Sequence, residues 1–64
     1  MLPGRSGSTA GQRVAEGIGI GYLPLYGRLL RAETRQGFAG WWVAWDAGYA
    51  SWNNADLLQI VPEQ

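Results

Sequence analysis

Residues 40–48, Gly-Trp-Trp-Val-Ala-Trp-Asp-Ala-Gly, limit the fold more than any other part of this 64-residue sequence. Aromatic and β-branched residues enclosed by glycines are typical of a β-strand. Side chains of a strand alternate between its two faces, so Trp41, Val43 and Trp45 share one face and Trp42 lies on the other. We therefore expect a strand with one core face and one outer face.

A turn and two short strands are predicted to follow. Residues 46–48, Asp-Ala-Gly, are a turn signal, because aspartate bonds to its own backbone and glycine accepts a positive φ. Residues 49–52 are predicted as the returning strand and residues 53–56 as a polar connector of one helical turn. The last strand is predicted at residues 57–61 and ends at Pro62.

The first half of the chain leaves one alternative open. Residues 12–15 alternate weakly between polar and apolar and are predicted as the first strand. The leucines of residues 25–36 have helical spacing, although Gly27 would cost a helix about 1 kcal/mol relative to alanine. The strand-rich second half favours a strand over residues 26–32, followed by a turn or loop over residues 34–40. The sequence thus predicts five strands and an all-β fold.

Residues 40–61 resemble the C-terminal half of small SH3-like barrels of the KOW and Tudor-like kind. In those barrels an aromatic-rich strand ends in an apolar-x-aromatic pair, and an Asp-x-Gly turn leads to a short strand with one large inward residue. This chain supplies the pattern in the same order, with Val43, Trp45, Asp46-Ala47-Gly48, Trp52, Leu57 and Ile60. The resemblance implies one five-stranded, strongly bent antiparallel SH3-like barrel, with Trp45 and Trp52 pointing inward. It implies no particular activity, because one fold hosts many functions.

The length allows one small domain. About 60 residues bury only about 60% of their unfolded surface, so such a domain benefits from self-association. Residues 1–11 are rich in glycine and serine and are predicted to be a flexible tail, and residues 12–62 are the predicted barrel domain. No secretory signal is apparent, and no segment approaches the ~20 apolar residues that cross a membrane. We therefore expect a cytoplasmic protein of bacterial or phage origin, with no membrane partner.

The residues that usually carry catalysis are missing. The chain has no cysteine and no histidine, which removes the thiol nucleophile, the commonest metal ligand and the usual general base. No lysine stands in for histidine beside a serine, and nothing in the sequence brings two of the five carboxylates together for acid–base work. We therefore expect no catalytic site, no metal and no cofactor, and a protein that is not an enzyme.

One enzyme family with a similar barrel is kept as the last alternative. Plasmid-borne trimethoprim-resistant dihydrofolate reductase is a tetramer of this barrel, and its central pore is lined by a Val-Gln-Ile-Tyr strand. The equivalent strand here reads Tyr-Ala-Ser-Trp over residues 49–52. This departure argues against the activity, although it does not exclude a similar tetramer.

Trp42 is the candidate contact residue among the four tryptophans. It lies out of phase with the other tryptophans, which are predicted to fill the core, and an exposed tryptophan beside a small residue is a common contact anchor. We therefore predict a non-catalytic binding module that contacts a protein partner, or a second copy of itself, through an exposed aromatic patch. The candidate partner-binding residues are Trp42, Tyr26, Tyr22, Arg28 and Arg31, the arginines forming a polar rim.

Arginines interleaved with aromatic residues also suggest an alternative, an RNA- or DNA-binding accessory module. In proteins that bind single strands, bases stack on aromatic rings and arginines follow the phosphates. The edge that would do so here consists of Arg28, Arg31 and Arg35 with Tyr26 and Trp42. The formal net charge of zero argues against it, because non-specific binding needs an excess of positive charge.

Overall fold

The computed structural model describes residues 9–17 and 23–62. These residues form five β-strands and one turn of 3-10 helix: β1 Arg13–Glu16, β2 Leu25–Ala32, β3 Gly40–Trp45, β4 Ala50–Asn54, the 3-10 turn Ala55–Leu57 and β5 Leu58–Ile60. The predicted all-β class, the five strands and the helical connector before the last strand are confirmed.

The strands form one antiparallel sheet in the order β4-β3-β2-β1-β5. Strands β4 and β5 are therefore its two edges, and no ladder joins them within the described residues. The expected barrel is thus not closed. The reason is local: the chain leaves β4 through the 3-10 turn, and the three residues of β5 pair with β1.

The core lies on one face of the sheet. Its buried side chains are Val14, Leu29, Val43, Trp45 and Leu58. The burial of Val43 and Trp45 confirms the predicted phase of β3, and Trp41 packs against the same cluster while partly exposed. The Trp45 indole N–H donates to Ser51 Oγ at 2.9 Å, so its burial leaves no unpaired donor.

Trp52 lies outside the core, so its predicted inward position is wrong. The backbone N–H of Trp45 donates to the carbonyl of Tyr49 at 2.8 Å across the turn, and this pairing fixes the register of the hairpin. Ser51 then falls opposite Val43, and Trp52 falls opposite Trp42. Paired residues project to the same face of a sheet, so Trp52 shares the outer face with Trp42.

Gly40 makes room for Trp52 on the outer face. A Cβ atom at residue 40 would collide with the indole ring of Trp52 and would lie 2.7 Å from the carbonyl oxygen of Asn53. Gly40 is itself buried. The glycine that opens β3 therefore lets a large ring cross from β4 over the backbone of β3.

The segment with helical spacing is a strand, β2, as the rest of the chain favoured. Gly27 is buried in it, and a Cβ atom there would lie 2.6 Å from the carbonyl oxygen of Ala44. Glycine thus allows the close approach of β2 and β3. The register of these strands shifts between Leu29 and Arg31, so both Arg28 and Arg31 face outward.

Two tight turns connect β2 to β3 and β3 to β4. Gln36 and Gly37 have φ angles of +50° and +82°, and Arg35 and Phe38 exchange backbone hydrogen bonds of 2.9 and 2.8 Å around them. These angles are those of a type I′ hairpin turn. Gly48, with a φ of +107°, confirms the predicted turn at residues 46–48.

The described chain begins before β1 and already contacts the sheet. The Gly11 N–H donates to the carbonyl of Leu29 at 2.8 Å, and the Gln12 N–H donates to the carbonyl of Thr9 at 3.1 Å. Residues 1–8 of the predicted flexible tail lie outside the described residues. The division into a tail, 1–11, and a domain, 12–62, stays a prediction.

Candidate functional site

Three strands place a row of side chains on the outer face of the sheet. Arg31 of β2 pairs with Trp42 of β3, and Trp42 pairs with Trp52 of β4. Neighbouring side chains in such a row lie about 5 Å apart at their Cβ atoms. The result is two indole rings side by side, with a guanidinium at one end.

Glu33, just beyond β2, ties this row together. Its Oε1 accepts the Trp42 indole N–H at 2.9 Å, and its backbone carbonyl accepts the Trp52 indole N–H at 2.7 Å. Its Oε2 accepts the Nε–H of Arg35 at 2.6 Å, and Nη1 of Arg31 lies 3.3 Å from Oε1. We call these five residues, Arg31, Glu33, Arg35, Trp42 and Trp52, the Glu33 cluster.

The arginines of the cluster cover the tryptophans. The Cζ atoms of Arg31 and Arg35 lie 5.4 and 5.3 Å from the centroid of the Trp42 ring. Arg35 also lies 5.6 Å from the Trp52 ring. All three contacts are within the ~6 Å range of cation–π attraction. Trp42 therefore points away from the core as predicted, but it is half-buried beneath two guanidinium groups instead of fully exposed.

The charge of the cluster depends on the ionised form of Glu33. Hydrogen bonds from Arg35 and from the Trp42 indole hold the pKa of the Glu33 carboxyl below its ordinary value, and the charges of Arg35 and Arg31 act in the same direction. One carboxylate faces two guanidinium groups at neutral pH. The surface therefore carries a net positive charge beside its two indole rings.

An open cavity adjoins the cluster. It has a volume of about 510 Å³ and is lined by Arg35, Gln36, Phe38, Trp52 and Asn54. Phe38, at the end of the β2–β3 turn, is 59% exposed. The lining of the cavity thus combines two aromatic side chains with one arginine, a combination suited to binding.

Tyr26 and Arg28 occupy the far end of the same face. Asp46, the residue after the end of β3, donates its backbone N–H to the carbonyl of Tyr26 at 2.9 Å. Asp46 is four residues from Trp42 along the chain, which is roughly 13 Å at about 3.3 Å per extended residue. Arg28 donates to the carbonyl of Gly11 at 2.9 Å. The structure therefore brings Trp42 and Arg31 together and sets Tyr26 and Arg28 apart from them. Tyr22 lies outside the described residues.

An ion pair organises this far end. Arg13 donates through both terminal nitrogens to the Asp46 carboxylate, at 2.7 and 2.5 Å. The Arg13 guanidinium also lies 5.6 Å from the centroid of the Tyr26 ring. The hydrogen bond from Arg13 lowers the pKa of the Asp46 carboxyl. Its partners make Asp46 a link between β3 and β1 as well as a turn residue.

Glu33, Trp52 and Phe38 contribute to this surface although none of them is among the predicted partner-binding residues. Glu33 directly follows the strand predicted over residues 26–32, and Arg31, Glu33 and Arg35 alternate in the sequence as side chains on one face of an extended chain do. That alternation is the signal by which Glu33 is recognisable. The inward position of Trp52 is what the SH3-like pattern implies, whereas the register of the β3–β4 hairpin places Trp52 opposite Trp42 on the outer face.

Three further observations on the described residues concern metal ligands, buried polar atoms and membrane-spanning helices. Within the described residues, no three acidic, histidine or cysteine side chains gather where they would hold a metal ion. Every buried side-chain nitrogen and oxygen in that part of the chain has a hydrogen-bond partner. The helical part of the described chain is one 3-10 turn, and it contains no helix of the length and apolarity needed to span a membrane.

The chain matches no protein-family model, no curated protein and no solved structure. What the site does is therefore inferred from its geometry.

Proposed function

We propose that this chain is a non-catalytic binding module that contacts a protein partner through the Glu33 cluster. One observation carries the proposal: Trp42 and Trp52 lie side by side outside the core, held by hydrogen bonds from both indole N–H groups to Glu33. A surface held in place before binding loses less conformational entropy when it binds. Tryptophan and arginine are also the residues most enriched in the energetic centres of protein interfaces.

The surroundings of the cluster support a protein ligand. Phe38 is 59% exposed beside the open cavity, and Arg31 and Arg35 keep 66% and 49% of their side-chain surface exposed. An apolar centre with a polar rim is the usual anatomy of a protein interface. Tyr26 and Arg28 extend the proposed surface toward the far end of the same face.

We also propose that the fold is of the SH3-like type. The strand order supports this, because β1 lies between β2 and β5 while β2, β3 and β4 follow as a meander. The cytoplasmic location, the bacterial or phage origin and the absence of catalysis are likewise predictions from the composition.

Nucleic-acid binding is the weaker alternative. Two of its three arginines, Arg31 and Arg35, share the carboxylate of Glu33, which reduces the positive charge they offer to phosphates. A steep fall of affinity with salt would be expected from phosphate contacts, whereas a contact centred on tryptophan should respond weakly to salt.

Comparison of two aromatic substitutions tests the proposal. Wild type, Trp42→Ala and Tyr49→Ala are immobilised and exposed to an extract of the organism that encodes the chain, and the retained proteins are identified. The best candidate is then purified and its affinity is measured at two salt concentrations. Tyr49 is the matched control because it is an aromatic residue, 51% exposed, outside the cluster.

We expect Trp42→Ala to weaken the purified complex by about 2 kcal/mol or more, the usual threshold for a hot spot. Tyr49→Ala should leave the affinity unchanged. Sedimentation of the same variants tests whether the partner is a second copy of the chain. Equal affinity of all three proteins, or retention of nucleic acid that is lost steeply with salt, would contradict the proposal.

A further inference from the structure

The Glu33 cluster already holds one ligand group, the guanidinium of Arg35. Its Nε–H donates to Glu33 Oε2 at 2.6 Å, and its Cζ lies over both indole rings, at 5.3 Å from Trp42 and 5.6 Å from Trp52. A carboxylate that accepts an N–H, next to aromatic faces that attract a cation, is what a planar guanidinium needs for recognition. The group that occupies the cluster thus shows which chemistry the cluster accepts.

The remainder of the cluster is held together without Arg35. The Trp42 indole N–H is fixed on Glu33 Oε1, and the Trp52 indole N–H on the Glu33 carbonyl. The Glu33 N–H donates to the carbonyl of Gly40 at 3.0 Å, which anchors this residue to β3. Removal of the Arg35 side chain would therefore leave the two rings and the carboxylate in position.

Arg35 is the exchangeable part of the arrangement. It precedes a two-residue turn in which Gln36 has a φ of +50°, a conformation that is unfavourable for a non-glycine residue. About half of the Arg35 side chain, 49%, is exposed. The open cavity lined by Phe38 and Trp52 also contains Arg35 in its wall, and it gives a second side chain access to the Trp52 ring.

We propose that Trp42, Trp52 and Glu33 form an arginine-binding site that Arg35 fills in cis, and that an arginine of the protein partner replaces it. This inference rests on the proposed function and names the group that the partner presents. Arginine is favoured over lysine because its planar guanidinium stacks on rings and donates from several fixed positions. The tethered Arg35 competes at an effective concentration in the millimolar range, so a free arginine should bind the wild type weakly.

The test is a titration, with short peptides, of a variant that lacks the Arg35 guanidinium. The probe is acetyl-Gly-Arg-Gly-amide, with acetyl-Gly-Lys-Gly-amide as its matched control, and binding is followed by nuclear magnetic resonance of the four tryptophan indole N–H groups. Arg35→Gln frees Glu33 Oε2 and the face of the Trp52 ring, while Arg31 stays beside Glu33 Oε1 and the Trp42 ring. Arg13→Gln is the control substitution, because Arg13 also stacks on a ring and pairs with a carboxylate, but at the far end of the face.

We expect Arg35→Gln to bind the arginine peptide at least about tenfold more tightly than wild type, as removal of a tethered competitor should allow. The indole signals of Trp42 and Trp52 should move and that of Trp45 should not. Arg13→Gln should bind at the cluster as weakly as wild type, and the lysine peptide should bind Arg35→Gln less tightly than the arginine peptide.

A folded Arg35→Gln protein whose indole signals ignore the arginine peptide, or one that binds both peptides equally, would overturn the inference. Should Arg35→Gln fail to fold, Arg35→Lys replaces it, and the arginine peptide is expected to displace the weaker lysine from the rings; no displacement would then overturn the inference. If the peptide test fails while Trp42→Ala still weakens the partner complex, the arginine site is refuted and the proposed function stands. If the peptide binds but Trp42→Ala leaves the partner complex intact, the proposed function fails instead.

Discussion

Glu33 contacts four side chains of the outer face, those of Arg31, Arg35, Trp42 and Trp52. One carboxylate and one carbonyl of this residue fix two indoles and two guanidinium groups. Each indole N–H would otherwise need water or another acceptor when partly buried. The orientation of Trp42 and Trp52 is therefore a property of Glu33 as much as of the strands that carry them.

Two of the three tryptophans predicted as core residues, Trp45 and Trp52, should respond differently to truncation. Trp45 is 5% exposed and Trp52 is half-buried. Trp45→Ala should cost about 3–5 kcal/mol, which is close to the whole stability expected of a domain this small. Trp52→Ala should cost roughly half as much, since less apolar area returns to water. Denaturant unfolding of both variants checks this, and an equal cost would put Trp52 back in the core.

Gly40→Ala should destabilise the fold by about 1–3 kcal/mol, as overpacking of a well-packed site does. The added methyl would meet the Trp52 ring and the Asn53 carbonyl. The same change made in a Trp52→Ala background should cost less, because one of the two colliding groups is gone. A double-mutant cycle of unfolding free energies measures this coupling, and additive costs would show that the ring does not lie over Gly40.

At the scale of the elements, the sequence predicts what alternation and turn chemistry encode. The glycine-bounded strand, its inward Val43 and Trp45, and the turn at residues 46–48 follow from local rules, and the structure confirms them. Register is different, because it is set by which residues pair across a turn, and a shift of one residue changes the face. The position of Trp52 and the hydrogen bonds of Glu33 to both indoles therefore needed the three-dimensional structure, although the alternation of Arg31, Glu33 and Arg35 already places these three side chains on one face.

The stability prediction at this scale concerns the β2–β3 turn. Gln36 and Gly37 both have positive φ angles, and type I′ turns favour Asn-Gly. Gln36→Asn should therefore raise the free energy of unfolding by a few tenths to about 1 kcal/mol. Thermal and denaturant unfolding measure the change. A loss of stability would mean that Gln36 makes a contact of its own that outweighs the strain in its backbone.

At the scale of the whole molecule, two carboxylates connect separate parts of the open sheet. Asp46 joins β3 to β1 through Arg13, and Glu33 joins the β2–β3 connection to the rings of β3 and β4. The pKa values of both carboxyls are lowered in the folded protein. Small domains have little stability to lose, so the loss of either ion pair should lower the free energy of unfolding of the whole domain.

Acid should therefore weaken the fold. A carboxyl whose pKa is lower when folded adds stability above its unfolded pKa, and that stability is lost as the pH falls through the folded pKa. We expect the free energy of unfolding to be constant near neutral pH and to fall below about pH 4.5. Asp46→Asn should reduce the size of this fall, as should Glu33→Gln. A stability that does not change down to about pH 3 would show that neither pair contributes.

The central claim is that the Glu33 carboxylate fixes the orientation of the Trp42 ring on the outer face. Acid titration of the indole N–H resonances tests this claim most directly. The Trp42 indole N–H donates to the Glu33 carboxylate, whereas the Trp45 indole N–H donates to the Ser51 hydroxyl. The Trp42 signal should therefore shift with a midpoint below the ordinary glutamate value of 4.5, and Glu33→Gln should abolish the shift. The Trp45 signal should not follow that titration. A Trp42 signal that does not titrate while the protein stays folded, or that titrates unchanged in Glu33→Gln, would contradict the account.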